Sequence, residues 1–213
     1  MSTDLISPQV SQYLDNLVPP REAEMQEMEA IAAKTNFPIV GPASGYWCYL
    51  AARMIGAKRI FELGSGYGYS TAWFAKAVQE NGGGEVFHVV WDDDLSQRAR
   101  RHLGALGYGA LVTYRVGEAV QTLRETDGPF DLIFNDINKE GYPASLPVIE
   151  EKLRPGGVLI IDNMLWHGRI FDASDRSDAT EGVREFTRRV TRDPKWAAGL
   201  LPVRDGLIVA LRK

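Results

Sequence analysis

The chain has 213 residues, of which 45% are hydrophobic and 24% are charged, a composition typical of a single globular domain with its own core. No apolar run is long enough to cross a membrane, and the first ten residues lack the layout of a signal peptide, so we expect a cytoplasmic protein without a membrane partner. The net charge of −4 excludes a chain that is basic overall. A single cysteine, Cys48, excludes an internal disulfide.

Helices dominate the first quarter of the chain. They are predicted at residues 10–17, 22–34 and 46–55. Pro19 and Pro20 separate the first two, because proline ends one helix and is tolerated at the start of the next. Residues 37–45 are rich in Pro and Gly and predict a loop that closes over a ligand. We therefore expect one domain, with a helical cap over residues 1–57 and a core over residues 58–213.

In the core, short β-rich runs alternate with helical patterns. Strands are predicted at residues 59–63, 86–91, 111–116, 130–135 and 157–161. Helices are predicted at residues 71–78, 95–106, 119–125, 142–153 and 180–191. Two final runs, 200–203 and 207–211, flank Arg204-Asp205-Gly206 and predict a hairpin. This order predicts an α/β fold with a mainly parallel sheet between helices, which binds ligands at the carboxyl ends of its strands.

A glycine turn follows the first predicted strand. Glycines at 64, 66 and 68 allow a ligand to approach the main chain, and the helix N-terminus beyond them favours polar or anionic groups. A dinucleotide fingerprint would need a glycine at position 69, where the chain has Tyr69. The pattern E-x-G-x-G-x-G from Glu62 resembles instead the first motif of S-adenosylmethionine-dependent methyltransferases. A glycine turn without a ligand is the alternative for this motif taken alone.

Polar side chains follow two later strands. Asp136 ends one strand with Lys139 three residues on, and Asp162-Asn163 ends the next. In a parallel sheet these ends open on the same edge as the glycine turn. Carboxylate and amide oxygens suit a hard divalent cation, Mg²⁺ or Ca²⁺. Either aspartate alone is more simply a helix N-cap, but their shared position favours a site.

From about Phe37 to the C-terminus, the chain resembles the cation-dependent O-methyltransferases typified by the caffeoyl-CoA and catechol enzymes. The resemblance rests on FELGSGYGYS, FDLIFNDINK, LRPGGVLIIDNMLWHG and LPVRDGLIVALRK. It implies a Rossmann-like sheet of seven strands with an antiparallel last strand. It also implies a small hydroxylated acceptor and a homodimer.

The resemblance assigns roles to individual positions. Asp136, Asp162 and Asn163 match the metal ligands, and Lys139 matches the catalytic lysine. The matching donor positions are Val40, Glu62, Gly64, Ser65, Gly66, Gly68, Ser70, Ala119, Asp136 and Asn138. Those near the acceptor are Trp166, His167 and Asp205. A cation bound to two vicinal acceptor oxygens would align them with the donor's methyl group, and Lys139 would accept the acceptor's proton.

Three positions depart from the family pattern. Val90 stands where an acidic residue usually binds the donor's ribose, so either Asp92 takes over that contact or ribose recognition is weaker. His167 replaces the usual asparagine, and Tyr46 replaces a glutamine. The other histidines, His88 and His102, have no partner pattern and are interpreted as structural.

Two classes of function follow. The favoured one is methyl transfer to a catechol-like small molecule, with a hydroxylated tRNA base as the variant acceptor. The other is a nucleoside-binding protein without catalysis, suggested by Val90. Basic residues could favour RNA, either the arginines at 98, 100 and 101 or those at 184, 188, 189 and 192. Glu181 and Glu185 precede three of the second group by three or four residues, which predicts an ion-paired helix face.

Overall fold

The computed structural model describes residues 5–213, and the first four residues of the predicted cap lie outside the described residues. The helices are α1 (Pro8–Leu17), α2 (Ala23–Thr35), α3 (Gly41–Met54), α4 (Tyr69–Glu80), α5 (Asp93–Ala105), α6 (Ala119–Glu125), α7 (Tyr142–Lys152) and α8 (Asp178–Arg192). The strands are β1 (Arg59–Leu63), β2 (Glu85–Val90), β3 (Val112–Val116), β4 (Phe130–Asn135), β5 (Leu153–Ile161), β6 (Trp196–Leu201) and β7 (Leu207–Arg212). Short 3₁₀ turns cover Gly109–Leu111, Lys139–Gly141 and Trp166–Phe171.

The strands form one sheet in the order β3-β2-β1-β4-β5-β7-β6. The pairs from β3 to β5 are parallel, whereas β7 pairs antiparallel with both β5 and β6. The predicted seven-stranded, mainly parallel sheet with an antiparallel last strand is therefore confirmed. Leu63, Asn135 and Ile161 are in register across β1, β4 and β5, so the chain leaves these three strands at the same level.

Helices cover both faces of the sheet, as the alternating side chains of β4 show. Leu132 and Phe134 pack into a core that includes residues of α2 to α5, whereas Ile133 packs into a second core with residues of α6 to α8. This alternation follows from the pleat of a strand buried on both sides. Cys48 of α3 is fully buried in the first core.

Three predicted boundaries differ from the structure by four residues or more. The predicted loop at 37–45 ends at Val40, because α3 begins at Gly41 with Pro42 in its first turn, where a missing amide proton costs no helical hydrogen bond. Strand β5 begins at Leu153 and crosses Pro155 at an irregularity in its pairing with β4. The first strand of the terminal hairpin is β6, which begins at Trp196 and ends before Pro202.

Within residues 5–213, none of the helices has both the length and the apolar character that a membrane span requires.

Candidate active site

The glycine turn after β1 fits against the neighbouring strand ends. At Gly64, φ is +87°, and a Cβ would lie 2.5 Å from the carbonyl oxygen of Asp136, so a side chain is excluded there. Ser65 bonds to the end of β2 twice: its amide donates to the carbonyl of Val89 (2.9 Å), and its hydroxyl accepts from the Val89 amide (3.0 Å). The turn is therefore fixed above β1, β2 and β4, with the N-terminus of α4 behind it.

Beneath the turn lies a buried polar cluster formed by Glu62, Thr71 and His88. Thr71 Oγ1 donates to Glu62 Oε2 at 2.5 Å and lies 3.1 Å from His88 Nδ1. While Glu62 is ionised, the single proton of this hydroxyl goes to the carboxylate, and the neutral tautomer of His88 that completes the chain of hydrogen bonds carries its proton on Nδ1. Burial raises the pKa of Glu62 to about 7 and lowers the pKa of His88 to about 3. Glu62 thus titrates near neutrality beside a neutral imidazole.

The positions predicted to bind the donor are largely brought together at this turn. Val40, Gly64, Ser65, Gly66, Ser70 and Asp136 line one small cavity of about 30 Å³, together with residues 37–39. Glu62 lies beneath the turn, and Gly68 is the N-cap of α4. Ala119 begins α6 and is buried, outside the lining of this cavity.

The two residues at the end of β2 have different environments. Val90 is buried, whereas Asp92 is exposed and caps α5 by accepting from the Leu95 amide at 2.9 Å. The carboxylate of Asp92 therefore already stabilises a helix N-terminus, which is the ordinary role of an aspartate there.

A larger cavity of about 520 Å³ opens beside the turn. Pro38 and Ile39 line both cavities, so the segment before α3 lies between them. The lining of the larger cavity includes the predicted residues Asp136, Asn138, Lys139, Asp162, Asn163, Trp166 and His167. The predicted lysine and metal ligands therefore meet here with two of the predicted acceptor contacts, whereas the third, Asp205, lines a neighbouring cavity of about 410 Å³.

Lys139 is held in the 3₁₀ turn after β4. Its side chain is 9% exposed, and Nζ donates to Asp136 Oδ1 at 2.8 Å and to the carbonyl of Ile137 at 3.1 Å. Nζ also lies 5.0 Å from the ring centre of Tyr142, within the range of a cation–π contact. Behind the turn, Gly182 of α8 packs so closely that a Cβ there would lie 2.3 Å from the Lys139 carbonyl oxygen.

The two aspartates differ in exposure, because the Asp136 side chain is 27% exposed and Asp162 is buried. Asp162 is 2% exposed, and its pKa is raised by burial and by the charge of Asp136. The pKa of Asp136 is also raised by burial, against the opposing effect of Lys139. Tyr142 donates its hydroxyl proton to the Asp162 carbonyl at 2.8 Å and so fixes the backbone at the end of β5.

The donor atoms of the predicted metal ligands are consistent with a hard cation. Among residues 5–213, hydrogen bonds engage Asp136 Oδ1, Asp162 Oδ1 and Asn163 Nδ2, which leaves one oxygen of each side chain without a protein partner. Oxygen ligands of this kind suit Mg²⁺ or Ca²⁺. The set contains only two carboxylates, and the described residues contain no group of three or more His, Cys, Asp or Glu side chains placed to hold a metal.

Asp205 organises the acceptor side of the cavity. Its Oδ1 accepts from the His167 amide at 2.6 Å, and its Oδ2 accepts from Asn163 Nδ2 at 3.2 Å. Asn163, Trp166 and His167 all have positive φ, between +47° and +59°, although none is glycine. Such backbone strain persists only where surrounding contacts hold it, and it is concentrated at functional sites.

Comparison with known proteins bears on this arrangement. The family model described as O-methyltransferase matches residues 15–213. The chain belongs to this O-methyltransferase family. A catechol O-methyltransferase from Niastella koreensis is 28% identical over 215 residues, covering 96% of each chain.

Solved structures of O-methyltransferases have the same fold. The O-methyltransferase from Bacillus cereus in complex with SAH has a TM-score of 0.86 and 29% identity, covering 96% of this chain and 97% of that one. TomG from Streptomyces achromogenes, an O-methyltransferase in complex with SAM, has a TM-score of 0.85 and 26% identity, covering 96% of each chain. The similarity to this O-methyltransferase family therefore covers nearly the whole chain.

Three residues at the site of this O-methyltransferase were not identified from the sequence. Tyr142 fixes the end of β5, Gly182 admits the Lys139 turn, and Arg204 lines the larger cavity. Tyr142 and Gly182 lie inside ordinary helical patterns, which carry no signal of these contacts. Arg204 lies within the closing motif LPVRDGLIVALRK, and its cavity position depends on how the β6–β7 turn folds back.

Proposed function

We propose that the protein transfers the methyl group of S-adenosylmethionine to a hydroxyl of a catechol-like small molecule, with the help of a divalent cation. The observation that carries this proposal is the meeting of Asp136, Lys139, Asp162 and Asn163 in one cavity beside the glycine turn. The catechol enzyme of Niastella koreensis and the SAM and SAH complexes of two relatives support it.

The donor would bind at the glycine turn. Gly64 lets the chain turn closely against the Asp136 carbonyl, and the buried carboxylate of Glu62 has Oε1 unengaged by the described residues. Val40 and Ser70 line the same small cavity. The sulfonium would then face the larger cavity past Asp136, which lines both spaces.

Asp136, Asp162 and Asn163 would hold the cation, which would stabilise negative charge on the acceptor oxygen and fix two vicinal oxygens. Asp162 is suited to this role because Tyr142 fixes its backbone and because the side chain is buried, with Oδ2 unengaged by the described residues. Asp205 would orient Asn163 through its contact with Nδ2, which leaves the amide oxygen available as a ligand.

Lys139 would accept the proton of the acceptor hydroxyl. As the oxygen forms its bond to the methyl carbon, the carbon–sulfur bond breaks, and S-adenosylhomocysteine leaves as a neutral thioether. Asp136 and the Ile137 carbonyl position the amine at the cavity wall, and Trp166 and Tyr142 shield it from bulk water.

An RNA acceptor is the alternative within the same chemistry. Arg188 and Arg189 both pair with Glu185, at 2.6 Å, and Arg184 pairs with Glu181 at 2.7 Å. These pairs bear out the ion-paired face predicted for α8 and reduce the positive charge available to phosphates. They support a small-molecule acceptor.

The test is methyl transfer from labelled S-adenosylmethionine to a panel of catechols and to bulk tRNA, with Mg²⁺ present. We expect label in the catechols and none in tRNA. Label in tRNA alone would overturn the assignment of the acceptor. Donor binding by calorimetry without transfer to any acceptor would overturn the enzymatic proposal in favour of a nucleoside-binding protein.

A further inference from the structure

Arg204 occupies a strained position in the turn between β6 and β7. Its φ is +53°, a left-handed conformation that glycine adopts most readily. The turn is fixed on both sides, because the Leu165 amide donates to the Asp205 carbonyl at 2.8 Å and the Met164 amide donates to the Gly206 carbonyl at 3.0 Å. Arg204 therefore projects from a backbone that is tied to the segment carrying Asn163.

The side chain of Arg204 lies where three cavities meet. It lines the larger cavity of about 520 Å³, a neighbouring one of about 410 Å³ and a third of about 210 Å³ beside α3. Its Cδ would lie 3.7 Å from a Cβ on Gly41, so the stem passes close to the start of α3.

The guanidinium of Arg204 differs from those of two other arginines near the acceptor side in having no partner among residues 5–213. Arg169 pairs with Asp175 at 2.7 Å, and Arg184 pairs with Glu181 and donates to four backbone carbonyls. No such hydrogen bond or ion pair connects the Arg204 guanidinium to the part of the chain that the structure describes. These residues therefore leave its donors available to a ligand.

Arg204 contributes a permanent positive charge to the larger cavity. Three carboxylates line it, Asp136, Glu140 and Asp162, together with two basic groups, Lys139 and Arg204. Lys139 has to be neutral to act as the base of the proposed reaction, whereas a guanidinium keeps its charge. The attraction of this cavity wall for an anion therefore depends on Arg204.

We propose that Arg204 binds a carboxylate carried by the acceptor, so that the preferred substrate is a vicinal dihydroxy aromatic acid. This inference rests on the proposed function and specifies its substrate class. A guanidinium donates two parallel hydrogen bonds to a carboxylate, which adds geometric selection to the charge. The hydroxyls would lie at Asp162 and Asn163, with the carboxylate at Arg204, inside a cavity whose volume is typical of small-molecule sites.

The competing carboxylate is the one on the methionine part of the donor. Arg204 lines the cavity that contains Lys139 and Asp162, and it is not among the described residues that line the glycine-turn cavity. This placement favours the acceptor. Calorimetric measurement of donor affinity distinguishes the donor's carboxylate from a carboxylate on the acceptor.

The experiment compares 3,4-dihydroxybenzoate with its uncharged methyl ester as acceptors. For the parent protein, we expect kcat/KM to be higher for the acid. In Arg204→Gln, the acid-to-ester ratio of kcat/KM should fall by about 10-fold or more, the size expected for a lost charge-assisted hydrogen bond. Arg204→Lys should keep part of the preference, and Arg176→Gln, a control at an exposed arginine, should keep all of it. Calorimetry should show unchanged affinity for S-adenosylmethionine in Arg204→Gln.

The possible failures are distinct. An equal loss for acid and ester would assign Arg204 a structural role, and a loss of donor affinity would assign it to the donor's carboxylate. An unchanged ratio would overturn the inference while leaving the proposed function intact, because methyl transfer would still be observed. No transfer to either acceptor by the parent protein would overturn both.

Discussion

Lys139 Nζ lies 2.8 Å from Asp136 Oδ1, so the amine of the proposed general base is hydrogen-bonded to the carboxylate of a proposed metal ligand. The pair spans i and i+3 at the end of β4, where Asp136 leaves the strand and Lys139 begins a 3₁₀ turn. Asp136 also lines the glycine-turn cavity. One residue thus links the donor side, the cation side and the base.

Lys139→Ala should reduce turnover without weakening donor binding. The glycine turn and the proposed metal-binding oxygens of Asp162 and Asn163 do not depend on the lysine, so donor and metal binding should persist. General-base catalysis typically contributes about 10²–10⁴-fold to the rate, and the variant should lose that contribution. Part of the loss should be recovered at high pH, where the acceptor hydroxyl ionises unaided. Steady-state kinetics and donor calorimetry check this, with Lys195→Ala, at an exposed lysine, as the control. An unchanged kcat would show that Lys139 takes no part in the rate-limiting chemistry.

Gly182→Ala should displace the turn that carries Lys139. A Cβ at this position would lie 2.3 Å from the Lys139 carbonyl oxygen and 3.1 Å from Glu140 Cα, and backbone atoms cannot yield as a flexible side chain can. Overpacking of this kind costs about 1–3 kcal/mol, and we expect kcat to fall about 10-fold.

The matched control for that variant is Gly104→Ala in α5, where a Cβ would meet no atom within 4 Å. It should be neutral or slightly stabilising, because alanine favours helix. Urea unfolding and kcat distinguish the two variants. Equal behaviour of the two would mean that the contact between α8 and the Lys139 turn has no effect on the site.

Glu62→Gln should stabilise the protein without ligand at pH 8. The folded pKa of about 7 lies above the value of 4.5 for an unperturbed glutamate, so the folded state binds more protons between these limits. The free energy of unfolding therefore falls as pH rises from about 4.5 through 7. Because glutamine does not ionise, the variant should avoid this loss of unfolding free energy, which is about 1–3 kcal/mol at pH 8 and near zero at pH 4.5.

Urea unfolding at pH 5 and pH 8 measures that difference, with Glu151→Gln at an exposed site as the control. His88 stays neutral across this range, because its pKa is lowered to about 3, so it adds no titration of its own. A stability gain of Glu62→Gln that is no larger at pH 8 than at pH 5 would contradict the buried, titrating carboxylate.

Val90→Glu should tighten the binding of S-adenosylmethionine. The new carboxylate would stand at the end of β2 and accept hydrogen bonds from the ribose hydroxyls, for a gain of about 10-fold in affinity. Asp92→Asn is the matched variant, since asparagine also caps helices and should preserve α5. A loss of affinity in Asp92→Asn, with no gain in Val90→Glu, would show that Asp92 already binds the ribose.

The sequence predicts the sheet well because strand and helix patterns depend on residues that are close together in the chain. Alternating strand and helix patterns are enough to place Gly64, Asp136 and Asp162 after successive parallel strands, and the register of Leu63, Asn135 and Ile161 brings those strand ends level. The start of α3 was missed, because Gly41 and Pro42 are typical of loops and are equally tolerated at a helix N-terminus.

The remainder of the candidate site depends on contacts between distant segments. Gly182 approaches Lys139 only when α8 packs across the 3₁₀ turn, and Arg204 reaches the cavity only when the β6–β7 turn bonds to Leu165. The buried pairing of Thr71 with Glu62 and His88 joins α4 to two strands. No periodicity or short motif records such contacts.

Cation-assisted methyl transfer is tested by following labelled methyl from S-adenosylmethionine to a catechol with and without a chelator. Chelation should abolish turnover, added Mg²⁺ should restore it, and Asp162→Ala should not be rescued by Mg²⁺ at concentrations that saturate the parent protein. Full turnover of the parent protein in excess chelator would show that the reaction does not use a divalent cation.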